Sequence, residues 1–282
     1  MDRVSFVAKL DDAVQFGLDW LYTNGAWFFD AIDDGLGEVY SGIEWMLLSP
    51  PYWVMVVLFG LLGWKTVGVT FALLAGAGLL GCAVMGLWDE TMSTLALVLS
   101  SVVIALIIAI PIGIVAGLKA GVNRYVQVAV DVIQTIPPYI YLLPGVALIG
   151  YGPATAMTAT IIVAISPALR LTALGIQLTP LELVELGRAN GASSMQMLFK
   201  IRLPLARPSI MTGINQSLMV SVGMVVIAGI VGAEGLGFVI YEAIRTLDIG
   251  KAIDGGISIV IVTMVLDRIS QGLGAEGAMA AQ

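Results

Sequence analysis

Residues 93–117 read STLALVLSSVVIALIIAIPIGIVAG, twenty-five consecutive positions without a charged side chain. A hydrocarbon core is crossed by about 20 such residues in a helix, so this stretch is long enough to span a bilayer. Further apolar stretches lie at 52–64, 67–87, 126–149, 154–178, 209–232 and 252–271. The first is short unless it begins near Trp45, so the expected count is six or seven crossings. Composition agrees: 59% of the 282 residues are hydrophobic and 12% are charged, against about 25% charged in a soluble domain. The fold class expected is an all-α, polytopic helical bundle in a membrane.

The formal charge of −7 is unevenly placed. Residues 1–50 hold nine acids against two bases, while 51–282 hold eleven of each. A chain without clustered Lys and Arg offers no phosphate-binding surface for nucleic acid. Histidine is absent and Cys82 is the single cysteine. Histidine-dependent nucleophiles, His-ligated metals and intrachain disulfides are therefore excluded. Cys82, in an apolar run, reads as a small buried hydrophobe.

The first fifty residues lack the basic start and uninterrupted apolar core of a signal peptide. Phe6, Leu10, Val14, Leu18 and Leu21, then Trp27, Phe28, Ile32, Leu36, Val39 and Ile43, recur at helical spacing. This pattern predicts one or two amphipathic helices, broken near Thr23-Asn24-Gly25, lying on a membrane face or against the bundle; the alternative is an acidic tail. Lys65, Lys119, Arg124, Arg188, Lys200, Arg202 and Arg207 fall in alternate connections. The positive-inside bias makes those loops cytoplasmic. The 1–50 extension and the N-terminus are then extracytoplasmic, and Arg268 and the 273–282 tail cytoplasmic. Gly113, Gly117 and Gly121, at four-residue spacing, predict close helix contacts. Pro111, Pro137, Pro138, Pro144 and Pro167 interrupt spans, which suits a bundle that moves around a passage; both features also occur in ordinary membrane helices.

The longest cytoplasmic connection, 179–208, carries the functional signal. Thr179-Pro180-Leu181-Glu182 reads as a capping box with proline in the first turn. Gly191 reads as a left-handed stop. Ser193-Ser194-Met195-Gln196 reads as a second capping box, with Met195, Leu198, Phe199 and Arg202 along one helical face and Pro204 and Pro208 closing that helix. A polar two-helix elbow outside the bilayer needs something to dock on it.

These residues resemble a known family. Glu185-Leu186-Gly187, then Gly191, then Ile201-Arg202-Leu203-Pro204 match the cytoplasmic EAA signature of ABC importer permeases, with Leu186 and Gly187 in place of its two alanines. Gln134-Thr135-Ile136-Pro137, Tyr141-Leu142-Leu143-Pro144, Arg170-Leu171-Thr172, Asn215-Gln216, Gly235-Leu236-Gly237 and Leu266-Asp267-Arg268-Ile269 resemble the glycine betaine/choline (quaternary ammonium) branch. The likeness covers about 90–272. It implies a permease domain over 51–272, with the elbow at 179–204 as the coupling element. It also implies an importer in a bacterial inner membrane: a second copy of this chain forms the passage, two ATPase subunits dock beneath, and a separate extracytoplasmic binding protein delivers a compatible solute or methylated amine. Glycine betaine, choline, proline betaine and trimethylamine N-oxide all fit. Glu185 would be the charged contact, Gly191 the turn, and Arg188, Lys200, Arg202 and Pro204 would complete the coupling surface.

No cofactor is expected on this chain; ATP and Mg would sit on the partner. The nearest P-loop decoy, Gly60-Leu61-Leu62-Gly63-Trp64-Lys65-Thr66, has Trp64 where glycine must precede lysine and is wrongly spaced. With no receptor domain read after residue 282, substrate recognition is expected to reside on a separate protein. Gln134, Tyr139, Tyr141, Asn215, Gln216 and Ser217 could line the passage with weak polar groups and aromatic faces suited to a methylated cation; packing and interhelical hydrogen bonding are the alternatives. Asp131 and Arg170, the charges set into spans, read as snorkelling side chains or a structural ion pair, with a gate as the alternative. The Gly232–Gly237 stretch reads as an outer loop for docking or gating. The competing class is an ion-coupled transporter or channel working alone, which would want acidic residues at mid-membrane; a membrane enzyme would want histidine, paired cysteines or clustered carboxylates.

Overall fold

A computed structural model describes residues 2–279, with the side chains of 8–9 and 11–274; Phe6 and Leu10 of the amphipathic pattern lie outside those described side chains. Every regular element among the described residues is helical. In chain order they are α1 (Asp2–Leu48), α2 (Tyr52–Thr66), α3 (Val69–Val84), α4 (Trp88–Leu118), α5 (Ala120–Thr135), α6 (Leu142–Leu148), α7 (Pro153–Gln177), α8 (Leu181–Ala189), α9 (Ser194–Met197), α10 (Leu203–Ala228), α11 (Leu236–Thr246) and α12 (Ile249–Met279). The C-terminal tail expected from residue 273 begins as a continuation of α12.

The break expected at Thr23-Asn24-Gly25 does not occur, and α1 is one helix. Thr23 Oγ1 donates to Asp19 O at 2.7 Å and Asn24 Nδ2 donates to Trp20 O at 2.8 Å. Each polar side chain thus bonds the preceding turn of its own helix instead of offering the backbone an exit. At 1.5 Å per residue α1 is about 70 Å long. It meets α2 at 96°, so it runs across the direction in which α2 points. Its face carrying Leu36, Tyr40, Ile43 and Leu47 packs into the bundle.

The seven apolar stretches become four long helices, one short hairpin and one broken pair. Four segments have the length and apolarity to cross a membrane: α4, α7, Ser194–Val231 and α12. The count rises to six if each bent pair is one span. At 15 and 16 residues, α2 and α3 reach about 22–24 Å, short of a ~30 Å core. The stretch at 126–149 is not one span: α5 and α6 flank a 3-10 turn at Pro138–Tyr141 and the pair bends by 98°. Pro137 has no N–H for the carbonyl of Ile133. The Tyr141 hydroxyl donates to that oxygen instead, at 2.8 Å, so the bend leaves no bare acceptor there.

Glycines set the spacing of the central helices. A Cβ on Gly113 would lie 2.7 Å from Thr172 Cβ, and one on Gly117 2.6 Å from Ile176 Cβ, so α4 and α7 touch along the expected stripe. Gly121 faces open space and takes no part. On the other side of α7, Gly175 backs onto Ser209 and Ala206, and Gly213 onto Ala168. The core is therefore α4, α7 and α10 side by side, with α12 and the α2–α3 hairpin outside.

These contacts also sort the ends. Gly117 meets Ile176 just before the elbow, Gly274 meets Met211 just after it, and Gly272 meets Thr66 beside Lys65. The C-terminal part of α12 and the α2–α3 turn thus share the elbow's end of the molecule. The other end is formed by the close of α1, the start of α4 and the loop at 229–236.

Candidate functional site: the elbow and the bundle above it

The elbow begins one residue later than expected and without its first capping box. Pro180 occupies the cap of α8 and no side chain caps it. Thr179 Oγ1 turns back and donates to Ile176 O at 2.9 Å, because the last carbonyls of α7 are the nearer open acceptors. The stop at Gly191 forms as expected, with φ at +72°. Ala192 N–H donates to Gly187 O and Gly191 N–H to Arg188 O, both at 2.9 Å, which is the paired closure of a Schellman motif. The second capping box is also present: Gln196 N–H donates to Ser193 Oγ at 3.3 Å and Ser193 N–H to Gln196 Oε1 at 2.9 Å.

Pro204 and Pro208 do not close the second helix. After α9 the chain enters a π turn, Leu198–Arg202, in which Leu203 N–H donates to Leu198 O, five residues back. A wider turn makes room where a proline ring would crowd the carbonyl four residues earlier. The helix then continues as α10, with Pro204 in its first turn and Pro208 inside it. The second arm of the elbow is therefore continuous with α10, one of the central helices of the bundle.

The two arms meet at Gly187, a position that motif reading treated only as a departure. A Cβ there would lie 2.7 Å from Met197 Cε and 2.9 Å from Ile201 Cδ1. Beside this contact runs a groove of about 450 Å³ lined by Leu183, Leu186, Asn190, Lys200, Pro204 and Leu205. Glu185, Arg188, Gly191 and Lys200 are exposed around it, and Arg202 is half-buried with its Nε lacking a partner. Leu181, Leu186, Met195 and Phe199 are each more than half exposed. The expected shared face is thus divided, with Met195 and Phe199 outward and Leu198 half-buried. An exposed apolar patch ringed by both signs of charge is the composition of a docking surface.

Of the residues considered for the passage, Ser217 is buried and donates to Ala164 O at 2.7 Å, joining α10 to α7. Tyr141 holds the proline-freed carbonyl already described. Asn215 is half-buried with its Oδ1 unpartnered, Gln134 and Gln216 are exposed, and Tyr139 is more than half exposed. Arg170 Nη2 pairs with Asp131 Oδ1 across α7 and α5, with both side chains substantially exposed. The structure brings Asp131 to Arg170; no hydrogen bond joins the α5 set to Asn215 or Gln216 among the described residues.

At the far end, the glycines of the 229–237 stretch permit backbone contact. A Cβ on Gly237 would sit 2.0 Å from Val225 O, and one on Gly235 2.7 Å from Thr94 Oγ1. Leu236 N–H donates to Thr94 Oγ1 at 2.8 Å. The neighbouring Ser93 hydroxyl donates to Glu44 Oε1 at 2.6 Å, and so does the Tyr40 hydroxyl, also at 2.6 Å. Adjacent residues of α4 thus tie α1 on one side and the 229–237 loop on the other. Their only sequence signal was polarity at the start of an apolar helix.

Comparison with known proteins agrees with this architecture. Residues 109–274 match the family described as the binding-protein-dependent transport system inner membrane component. The chain is 40% identical over 273 residues to the glycine betaine transport system permease protein OpuAB of Bacillus subtilis, covering 97% of this chain and 96% of that one. It is 38% identical over 265 residues to the glycine betaine/proline betaine transport system permease protein ProW of Escherichia coli, covering 94% and 75%. Its fold matches a chain of the inward-facing MetNI methionine ABC transporter with a TM-score of 0.57 at 25% identity, over 67% of this chain and 93% of that one. With an all-helical, multi-pass bundle and the elbow signature on one helix–turn–helix, this chain belongs to the family of binding-protein-dependent transport system inner membrane components, the permease subunits of ABC importers.

Proposed function

We propose that this permease carries a methylated ammonium zwitterion, glycine betaine or a close analogue, and that it works as a pair of copies above two ATPase subunits. The observation that carries the coupling reading is the elbow itself. It is a rigid, doubly closed turn with exposed Leu186, Met195, Phe199, Glu185 and Arg188, built as the direct continuation of α10. Closure of the ATPases would move the elbows, and α10, packed through Gly213 on α7, would carry the displacement into the bundle. Coupling requires that the ATP-bound partner favour one arrangement of the bundle over the other.

The elbow end is assigned to the cytoplasm, which puts α1 and the 229–237 loop on the outer side, where a separate binding protein would deliver solute. Gln134, Tyr139, Asn215 and Gln216 have polar groups free to meet a passing solute, and Asp131 with Arg170 is a charged pair joining α5 to α7. The relatives named for glycine betaine and proline betaine support the substrate class, and an aromatic and amide lining suits a quaternary nitrogen.

The test is ATP-driven uptake of labelled glycine betaine by vesicles holding permease, ATPase and binding protein. Glu185→Ala and Gly191→Pro, the latter forcing φ near −65° where +72° is needed, are expected to insert normally and still permit ATP hydrolysis while uptake collapses. Full-rate uptake by the permease without ATPase or ATP would overturn the reading.

A further inference from the structure

Between α3 and α12 lies a groove of about 330 Å³, walled by Phe71, Leu74, Ile261 and Met264, with Asp267 and Arg268 at its mouth. Two close contacts frame it. Toward the α1 end a Cβ on Gly78 would lie 2.8 Å from Ile261 Cγ2, and toward the elbow end one on Gly272 would lie 2.5 Å from Thr66 O. The first contact joins α3 to α12 and the second joins the last residue of α2 to α12, and the helices part between them. A second hollow of about 320 Å³, lined by Val67, Gly68 and Thr70, shares Phe71, Leu74 and Arg268 with the first. Together they make one apolar slot that opens on a cation at the elbow end.

Arg268 is exposed and has no ion-pair partner among the described residues. Asp267, beside it, accepts from Gln271 Nε2 at 2.7 Å. The Leu266-Asp267-Arg268-Ile269 segment carried part of the resemblance, yet nothing in the coupling reading uses it. Leu74 and Met264 present more than half of their surface outward, so in a bilayer the slot faces lipid. A dry apolar hollow there does not hold water, and a basic residue between membrane helices at a surface binds headgroups. Gly68 gives the first-turn amides of α3 no side-chain cap, and Gly68, Val69 and Thr70 line the second hollow.

We propose that the α3–α12 slot seats one acyl chain of a glycerophospholipid from the leaflet at the elbow end, with the lipid phosphate against Arg268. The chain fills the wall of Phe71, Leu74, Ile261 and Met264, and the headgroup supplies the counter-charge that the protein does not. The inference needs only that the bundle sits in a bilayer, so solute uptake and lipid retention test the two readings separately.

The experiment is native mass spectrometry of the full chain extracted from its own membrane in mild detergent. One phospholipid per chain is expected to remain bound, undisplaced by millimolar inorganic phosphate. Leu74→Trp fills the slot from an outward-facing position where folding is not at stake, and should abolish retention. Arg268→Gln should lower it about fivefold, the equivalent of the ~1 kcal/mol that one arginine contributes at a lipid surface. A chain that retains no lipid, or variants that retain it as the unaltered chain does, would overturn the assignment. Loss of self-association in Leu74→Trp with no lipid in the unaltered chain would do so too, and would make the slot a contact between copies.

Discussion

Gly187 and Gly191 stand four residues apart in the elbow for different physical reasons. Gly191 needs a positive φ, which an L side chain adopts at a cost of about 1–2 kcal/mol, whereas Gly187 needs the absence of a Cβ against Met197 and Ile201. The first requirement was legible, because a glycine after a helical stretch and just before the Ser193 capping box is a stop signal. The second was not, since close approach depends on which residues the other arm presents. Tyr141 shows the same limit. Its aromatic face, suited to a methylated cation, suggested a passage residue, but its hydroxyl bonds the carbonyl that Pro137 cannot reach. The bond is part-buried, so Tyr141→Phe is expected to lower stability by about 1 kcal/mol, the net worth of one such hydrogen bond. A fall in melting temperature in detergent, with the ATPase-docking affinity unchanged, would check this; an unchanged melting temperature would mean that water serves the carbonyl equally well.

Helices in this chain persist where local signals advise stopping. Thr23, Asn24 and Gly25 in α1, and Pro204 and Pro208 after α9, are breakers by composition, and the helix runs through both groups. At the first, side chains bond the preceding turn. At the second, the π turn Leu198–Arg202 takes up the proline. The wider turn also sets the angle at which Met195 and Phe199 sit relative to α10. Pro204→Ala removes the crowding that favours it. The π turn is then expected to tighten to α geometry, which turns the residues before it by about 100° around the helix axis, one residue's worth of a 3.6-residue turn. Stability should hold or rise while the ratio of solute transported to ATP hydrolysed falls. Paired distance measurements between labels at 195 and 212 would report the rotation, and an unaltered distance would remove proline as the cause of the π turn.

Across the molecule, the glycine contacts of α4 with α7 and of α7 with α10 make a closely packed three-helix block. Gly113→Leu forces its side chain against Thr172 and Leu169 O; overpacking of this kind costs about 1–3 kcal/mol. It is expected to lower the melting temperature and reduce membrane-extracted yield, whereas Gly121→Leu, facing open space, should change neither. Equal behaviour of the two variants would separate the four-residue spacing from packing. At the end away from the elbow, Ser93 and Thr94 join α1 and the 229–237 loop to the same turn of α4, so the acidic extension and this loop share one anchor. By itself the sequence determined the solvent, the helical class, the placement of the bases and the elbow with its glycine stop. These follow from hydropathy, charge and cap chemistry, which act within a few residues. Only the tertiary structure decided which apolar stretches are long helices and which are a hairpin or a broken pair. It alone decided that the elbow's second arm is α10, that Gly187 is the contact point, and that Glu44, Ser93 and Thr94 belong together. Those outcomes depend on what a distant segment places against each carbonyl, hydroxyl or missing Cβ, and such neighbours are not written in local spacing.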